Sequence, residues 1–313
     1  MPGPLPTYAV VTPVRDEAEH FARTAESLVS QTHRPLRWVV VDDGSTDGTR
    51  AIADRYAREH DWIEVIDSGA DHERARGAPI VRAFQRGCDA LRERVDVVVK
   101  LDGDLFLPAH YFEWVAQMFA SDPRAGIVGG VALIPEGGRW VPERANPLNV
   151  NGVAKAYRVA CLEDIGGLRP SMGWDGIDEY GARAHGWNVR VLSELTLLHY
   201  RPRGSKQNPL RARWEEGRGN AYMGYRPGWL LVRAAYRSLV ERPPILGGMV
   251  LLAGYAWARL RRLPQIDDPA ARAELRREQR ARLAGLMRGR AAPVPELPEG
   301  GGPAYWSTGA REP

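Results

Sequence analysis

Cysteine and lysine are both scarce in this 313-residue sequence. The two cysteines, Cys88 and Cys161, cannot build the disulfide framework of a small secreted domain, so we expect a reduced protein held by a hydrophobic core. Only three lysines occur, so guanidinium groups, which suit phosphate binding, carry almost all the positive charge. The nine arginines between Arg261 and Arg290 match no recognised nucleic-acid-binding motif, and no nucleic-acid partner is expected.

Long hydrophobic runs are also missing. The first residues, MPGPLPTYAVVTPVRDE, have no basic segment followed by an apolar core, so we expect no secretion signal and a cytoplasmic protein. The most apolar stretch, residues 245–258, has the length of a buried or interfacial helix and is short for a bilayer span. A polymerising synthase with several transmembrane helices is therefore not expected. Its Q-x-x-R-W motif is absent too, because Leu210 stands where glutamine is required before Arg213–Trp214.

The first hundred residues alternate between two periodicities. Short β-branched runs predict strands, and apolar residues at helical spacing between them predict helices. This alternation indicates a mostly parallel sheet with helices on both faces, which binds ligands beyond the carboxyl ends of its strands. The strands are predicted at 8–12, 36–44, 62–69 and 95–101, and the helices at 16–32, 51–60 and 78–94. Further along, we predict a strand at 126–135, and over residues 150–200 a mixture of short strands and a helix at 177–186.

Acidic residues gather where the predicted strands end. Asp42 and Asp43 follow the second strand, and Asp102 and Asp104 follow the fourth. An unpaired carboxylate is costly to remove from water, so acids beside buried strands need a compensating charge. Mg²⁺ or Mn²⁺ would supply it, because these cations take oxygen ligands and keep open positions for phosphate. Taken alone, a D-x-D pair is a weak signal and favours a solvated loop that precedes a helix.

Three ordered segments resemble the signatures of family-2 glycosyltransferases with the GT-A fold: TPVRDEA at 12–18, VVVDDGSTDGT at 39–49 and KLDGDLFLP at 100–108. The resemblance covers about residues 7–205. It implies a GT-A α/β fold, with a mostly parallel central sheet flanked by helices. It also implies metal-dependent, inverting transfer of a sugar from a UDP- or GDP-type nucleoside-diphosphate-sugar to an acceptor hydroxyl, in cell-envelope or polysaccharide biosynthesis.

The same resemblance implies which residues form the donor site. A metal, Mg²⁺ or Mn²⁺, would be held by Asp104 foremost, with Asp102 and His199. Arg201 and Arg203 would neutralise diphosphate charge. The alternatives are a capped turn for the Asp42–Asp43 pair and a structural role for the histidine. The nucleotide-sugar-binding residues would be Pro13, Val14, Arg15, Glu17, Asp42, Asp43, Lys100, Asp102 and Gly103.

A further segment, GLRPSMGWDGIDEYGARAHGWNV at 167–189, resembles the acceptor side of the family. There a carboxylate at a loop-to-helix junction withdraws the proton of the acceptor hydroxyl as that oxygen attacks the sugar. The usual Glu-Asp pair is reversed here to Asp178-Glu179, which leaves the base open among Asp178, Glu179 and Asp175, in that order. The alternative role for these acids is to complement the dipole of a helix N-terminus.

Two other functions fit parts of the pattern. A sugar nucleotidyltransferase shares the sheet type but begins with a glycine-rich phosphate loop, and VVTPVRDEA has no glycine. A non-catalytic module that binds nucleotide sugars or glycans would not need to retain Asp102, Asp104 and Asp178. We therefore favour an enzyme.

The predicted organisation is a catalytic domain at 1–226, a helical extension at 227–290 and a disordered tail at 291–313. The catalytic domain divides into a nucleotide-sugar half, 7–108, and an acceptor half, 109–226. Aromatic residues and arginines in 228–290 suit the surface of an anionic membrane, where a lipid-linked or glycan acceptor would be presented. The alternative is that 245–258 packs as an ordinary core helix and the arginines face solvent.

Overall fold

A computed structural model describes residues 4–69, 78–143, 146, 148–202, 208–240 and 245–288. The predicted disordered tail and Arg203 lie outside these ranges. The four strands and three helices predicted for the first hundred residues are all present. In chain order they are β1 (Tyr8–Val14), α1 (Ala18–Val29), β2 (Arg37–Asp42), α2 (Thr49–Glu59), β3 (Ile63–Asp67), α3 (Ala78–Ala90) and β4 (Val97–Leu101).

The second part of the chain adds strands of both directions. Its elements are β5 (Leu105–Phe106), α4 (Tyr111–Ser121), β6 (Ala125–Glu136), β7 (Arg139–Pro142), β8 (Ala154–Arg158), α5 (Val159–Asp164), α6 (Trp174–Ala184) and β9 (Asn188–His199). Two expectations need correction. The helix predicted at 177–186 begins at Trp174, because Gly173 adopts the left-handed conformation at its N-cap. The strands predicted within residues 150–200 were short, but this region contains the 12-residue β9.

All nine strands join one sheet in the order β3-β2-β1-β4-β8-β6-β9-β5, with β7 paired to β6. Strands β1 to β4 are parallel to their neighbours among themselves, whereas β8 runs antiparallel to β4 and β6. Apolar cores cover both faces, one around Phe21 and Trp38 and the other around Phe84 and Tyr157. Because the carboxyl ends of β1, β2 and β4 lie at one edge, the acids that follow them meet there.

Four helices complete the described chain: α7 (Pro209–Tyr222), α8 (Pro227–Val240), α9 (Leu246–Leu260) and α10 (Pro269–Met287). Glycines let α7 and α9 touch backbone to backbone, since a Cβ at Gly217 would collide with the Leu251 carbonyl and one at Gly254 with that of Trp214. The arginine-rich α10 is not solvated on every face, because Leu275 packs with Ile177 of α6. Across the described residues, no helix combines the length and apolarity needed to cross a membrane.

Candidate active site

Hydrogen bonds join the loop after β1 to the loop after β2 at the carboxyl edge of the sheet. The Asp16 carboxylate accepts a hydrogen bond from the Thr46 amide at 2.8 Å, and the Glu17 amide donates to the Thr49 hydroxyl at 2.8 Å. These bonds hold Asp16 at a φ of 53°, which a non-glycine residue adopts only when its surroundings enforce it. The loops after β1 and β2 therefore form one continuous surface, which contains several of the residues predicted to bind the nucleotide.

The adjacent acids after β2 have different surroundings. Asp42 accepts from the Ser45 amide at 3.1 Å, which is the turn-capping role considered as the alternative for this pair. Asp43 accepts from the Ser68 hydroxyl at 2.7 Å and lies 3.5 Å from an Arg15 guanidinium nitrogen. Arg15 is exposed at the edge of the sheet. Asp42 is buried, at 5% exposed, whereas Asp43 is partly exposed at the edge of the sheet.

Pro13 and Val14 belong to β1 itself. Pro13 pairs in register with Val41, and the Val14 side chain is buried under the loop that follows β4. A Cβ at Gly103 would lie only 3.0 Å from a Val14 methyl carbon. Val14 therefore lies against the loop that carries Asp102 and Asp104, and Pro13 is part of the sheet beside it.

A buried hydroxyl on α1 anchors the same loop. Thr24 Oγ1 lies 2.9 Å from the Gly103 carbonyl oxygen and 2.7 Å from that of Leu105, and it accepts from the Leu105 amide at 2.9 Å. Backbone groups in a tight loop cannot satisfy one another, so a side chain from a neighbouring helix takes that role. Thr24 therefore holds the loop from within the core.

We expect Thr24→Val to destabilise the protein and weaken binding of nucleoside diphosphates. Valine keeps the shape but leaves buried backbone groups without partners, which costs about 1–3 kcal/mol in the free energy of unfolding. Urea unfolding and calorimetric titration with UDP and GDP plus Mn²⁺ measure both effects. Thr32→Val, the same substitution at an exposed site, is the control. Equal stability of the two variants would contradict the anchoring role.

Opposite charges converge on Asp104, which is buried. Asp104 Oδ2 lies 3.7 Å from His199 Nε2 and 3.3 Å from Arg201, whose guanidinium also pairs with Glu17. Burial and the nearby Asp102 raise the pKa of Asp104. Burial alone would lower the pKa of His199. Its hydrogen bond to Glu143, at 3.3 Å, and the charges of Asp104 and Glu143 outweigh burial, and the pKa is raised. Glu17, Asp104, Glu143, His199 and Arg201 therefore form a charged, closely packed cluster at the carboxyl edge of the sheet, hereafter the rim.

The rim offers a divalent cation only an incomplete set of protein ligands. Within the described ranges, no group of three or more His, Cys, Asp or Glu side chains is arranged to hold a metal ion. Asp104 and His199 are the two candidate ligands that face each other, and such a pair would leave positions for water and phosphate oxygens. The buried Asp104 carboxylate, whose ionised form is disfavoured by burial, is the observation that favours a cation here.

Lys100 and Asp102 form a pair beneath the rim. Lys100 is 1% exposed, and its ammonium group donates to Asp102 and, at 2.9 Å, to the Gly152 carbonyl oxygen. Asp102 is correspondingly tied to the protein by one of its oxygens. Lys100 therefore holds the loop through Asp102 and the Gly152 carbonyl oxygen.

Asp178 and Glu179 lie inside α6 and not at the loop-to-helix junction where the sequence predicted a base. The Lys155 ammonium lies 2.8 Å from Asp178 Oδ2 and 2.9 Å from Glu179 Oε1. The Tyr157 hydroxyl donates to Asp178 at 2.6 Å. Both acids are buried, at 4% and 0% exposed. Their carboxylates are engaged with protein groups on the inner side of the helix.

The ionisation of this cluster is dominated by burial. Burial raises the pKa of Glu179 to about 7, against the opposing effect of Lys155. Burial also raises the pKa of Asp178, again opposed by Lys155. Burial alone would lower the pKa of Lys155. The charges of the neighbouring carboxylates outweigh burial, and the pKa of Lys155 is raised. The Lys155 charge therefore opposes protonation of both acids without cancelling the effect of burial.

Asp175 has a different environment from its two neighbours. It lies in the first turn of α6 and is partly exposed. A Cβ at Gly152 would lie 3.0 Å from Asp175 Cβ and 3.2 Å from Oδ2, so the glycine leaves room for this side chain. Gly152 also accepts from Lys100, which binds Asp102. Asp175 is therefore the acid of the acceptor segment that stands beside the rim.

Several residues of the site escaped prediction because their partners are distant in sequence. Thr24 and Glu143 carry no local motif, and they act across 81 and 56 positions respectively. Trp174 was not predicted as a site residue, although its ring lies close to two ammonium groups. For Lys155 a signal was present: it is one of three lysines in the chain, and it sits in a buried strand.

Comparison with known sequences identifies the class of protein. Residues 9–159, just under half of the chain, match the sequence model of Glycosyl transferase family 2. A Haloferax volcanii glucosyl-dolichyl phosphate glucuronosyltransferase is 25% identical over 138 residues, which cover 43% of this chain and 39% of that protein. Glycosyltransferase AglE of the same organism is 35% identical over 68 residues, or 21% of this chain and 22% of AglE. The alignments thus span well under half of these relatives.

Solved structures agree on the fold. A mannosyltransferase from Pyrobaculum calidifontis, in complex with GDP-Man and Mn²⁺, superposes with a TM-score of 0.53 at 18% identity, covering 93% of this chain and 78% of that one. S. aureus TarS in complex with UDP superposes with a TM-score of 0.54 at 18% identity, covering 94% of this chain and 97% of that one. The predicted GT-A fold is confirmed.

Proposed function

We propose that this protein is a metal-dependent glycosyltransferase that moves a sugar from a nucleoside-diphosphate-sugar to an acceptor hydroxyl with inversion. The observation that carries the proposal is the meeting of donor-side acids and an acceptor-side acid along one edge of the sheet. Asp43, Asp104 and His199 line the donor part, and Asp175 adjoins it through Gly152. Two structural neighbours were solved in complex with GDP-Man or UDP, which supports the donor class.

On the donor side, each residue would have a separate task. Asp43 would accept a hydrogen bond from the base, and Arg15 would lie against the nucleotide. Asp104 and His199 would hold Mg²⁺ or Mn²⁺, which when bound would stabilise charge on the departing diphosphate. Arg201, held between Glu17 and Asp104, would add positive charge beside the same phosphates.

On the acceptor side, we propose Asp175 as the general base. A base must reach the hydroxyl proton, so it needs an accessible carboxylate with a free approach from the acceptor. Asp178 and Glu179 are buried against Lys155, whereas Asp175 is partly exposed beside the rim. The acceptor oxygen would attack the anomeric carbon from the face opposite the diphosphate, while its proton passes to Asp175. One displacement of this kind inverts the anomeric configuration.

The test is a panel of UDP- and GDP-sugars with Mn²⁺ or Mg²⁺, scored for release of nucleoside diphosphate and for thermal stabilisation. We expect at least one donor to stabilise the protein and to be hydrolysed slowly in a metal-dependent way. Absence of both effects with every donor would contradict the proposal.

The same panel separates the alternatives. A sugar nucleotidyltransferase would instead release pyrophosphate from a nucleoside triphosphate and a sugar phosphate, so that pair of substrates is included. A non-catalytic binding module would be stabilised by a donor and would release no diphosphate, even with glycan acceptors present. Under the proposal, the catalytic unit is 1–226 with 227–290 as its extension.

We further propose that the extension contacts an anionic membrane surface, with the protein peripheral at the cytoplasmic face. One side of α9 is an exposed apolar stripe made of Leu246, Met249, Ala253, Ala256, Trp257 and Leu260. Surface helices normally expose polar residues on such a side. Exposed arginines follow the stripe at Arg259, Arg261 and Arg262, which suits anionic headgroups. An acceptor carried on a lipid or an envelope glycan would then be delivered beside α6.

Vesicle sedimentation tests this contact. We expect the full chain to bind vesicles containing phosphatidylglycerol and to lose most of this binding when Leu260, which is 83% exposed, is replaced by Glu. Met287→Glu is the matched control, because Met287 is also 83% exposed but lies on α10. If the apolar stripe instead joined two copies, Leu260→Glu would convert a dimer into a monomer by light scattering and leave vesicle binding unchanged.

A further inference from the structure

Two of the three lysines of this chain are buried side by side. Lys100 of β4 and Lys155 of β8 are directly opposite each other in the antiparallel register, so their side chains project from the same face of the sheet. Like charges in such positions repel, and both residues are almost fully buried, at 1% and 0% exposed. Since arginine supplies nearly every other cation, two lysines here indicate a site where a compact, single-point donor is required.

Neighbouring acids and one aromatic ring relieve the repulsion between the two lysines. Lys100 pairs with Asp102, Lys155 pairs with Asp178 and Glu179, and Arg183 also contacts Glu179 at 3.3 Å. Three cations thus face three carboxylates. The Trp174 ring lies 5.3 Å from the Lys100 ammonium and 5.9 Å from that of Lys155, where its π face attracts both.

Lys155 also binds the backbone of the acceptor segment. Its ammonium donates to the carbonyl oxygen of Asp175 at 2.6 Å, in addition to the two carboxylates farther along α6. One atom therefore contacts the first two turns of α6 at three points. Through β8 and its register with β4, those turns are fixed relative to Asp102 and the rim.

We propose that Lys155 is a positioning residue that sets the Asp175 carboxylate against the donor rim. This proposal rests on the proposed function, in which Asp175 is the base. Lys155 does not touch either substrate. Its effect is on the geometry of proton transfer, since a misplacement of about 1 Å can cost 100-fold in rate. It also explains why Asp178 and Glu179 resemble a catalytic pair in sequence: they serve as the counter-charges of the lysine.

The test compares Asp178→Asn with the double variant Lys155→Met/Asp178→Asn. In the double variant Lys100 keeps Asp102 and Arg183 keeps Glu179, so each remaining charge retains a partner. Relative to Asp178→Asn, we expect the double variant to lower kcat by about 10–100-fold. The donor KM and the affinity for nucleoside diphosphate with Mn²⁺ should stay within about threefold, because the donor loops do not contact Lys155.

Gly152→Ala is an independent variant that leaves the ionic cluster intact. Its methyl group would press on Asp175 at 3.0 Å, and the Gly152 carbonyl that Lys100 uses would remain. We expect a loss of kcat in the same range, again without a loss of nucleotide affinity. An unchanged kcat in the double variant, or a parallel loss of nucleotide affinity, would overturn the proposal.

Hydrogen exchange gives a readout that does not need turnover. We expect amides in the first two turns of α6 to exchange faster in the double variant than in Asp178→Asn. If wild type processes no sugar nucleotide, the proposed function fails. The exchange result would still decide on Lys155, and equal exchange in the two variants would refute its positioning role.

Discussion

Replacing Asp104 by Ala will abolish metal-dependent binding of the donor. Asp104 is buried, faces His199 and is the carboxylate on which the charges of the rim converge. Loss of groups that merely support a metal ligand already costs roughly 10–100-fold in metal affinity, so loss of the ligand itself should exceed that range. Calorimetric titration of UDP and GDP, with and without Mn²⁺, measures the change directly.

The matched control for this variant is Asp67→Ala. Asp67 ends the neighbouring strand β3 and pairs with Arg50 at 2.6 Å, but it is exposed and distant from His199 in the sheet. The Asp67→Ala substitution removes the same charge from the same edge of the sheet. We expect the Mn²⁺-dependent affinity for UDP and GDP to remain within about twofold, because exposed ion pairs contribute little. Equal affinity of wild type and Asp104→Ala would show that the metal is held elsewhere.

Replacing Asp175 by Asn should eliminate most transfer and spare donor binding. An amide cannot take up the acceptor proton, and loss of a general base typically costs 100- to 10,000-fold, in rough terms. The side chain keeps its shape beside Gly152, so the nucleotide affinity measured with Mn²⁺ should not change. The measurement is kcat on the best donor of the panel, with water or an added glycan as acceptor.

Asp178→Asn provides the contrast for this prediction. Its side chain is buried against Lys155 and Tyr157, so we expect a lower melting temperature and a loss of kcat below about tenfold. If Asp178→Asn instead lost as much activity as Asp175→Asn while its melting temperature held, Asp178 would be the base, as the sequence resemblance ordered it. The two variants together therefore assign the base whichever way the result falls.

Strand and helix positions in the first half of the chain followed from periodicity alone. Strands such as β2 are buried on both faces, and the unbroken apolar run from Trp38 to Val41 is typical of such a strand. The ends of helices were less well predicted. α6 begins at Trp174 because Gly173 takes a left-handed conformation, and α3 ends at Ala90, four residues before the predicted end.

The amino-acid sequence by itself determined the family resemblance, the fold and the edge of the sheet where the candidate site lies. These depend on local patterns: β-branched runs, acids after each run, and three motifs in order. Only the tertiary structure decided which acids are buried. Asp178 and Glu179 lie three and four residues beyond Asp175, so all three share one face of α6. Asp175 is in the partly exposed first turn, whereas the other two are buried against Lys155, a residue that only the pairing of β8 with β4 brings beneath them.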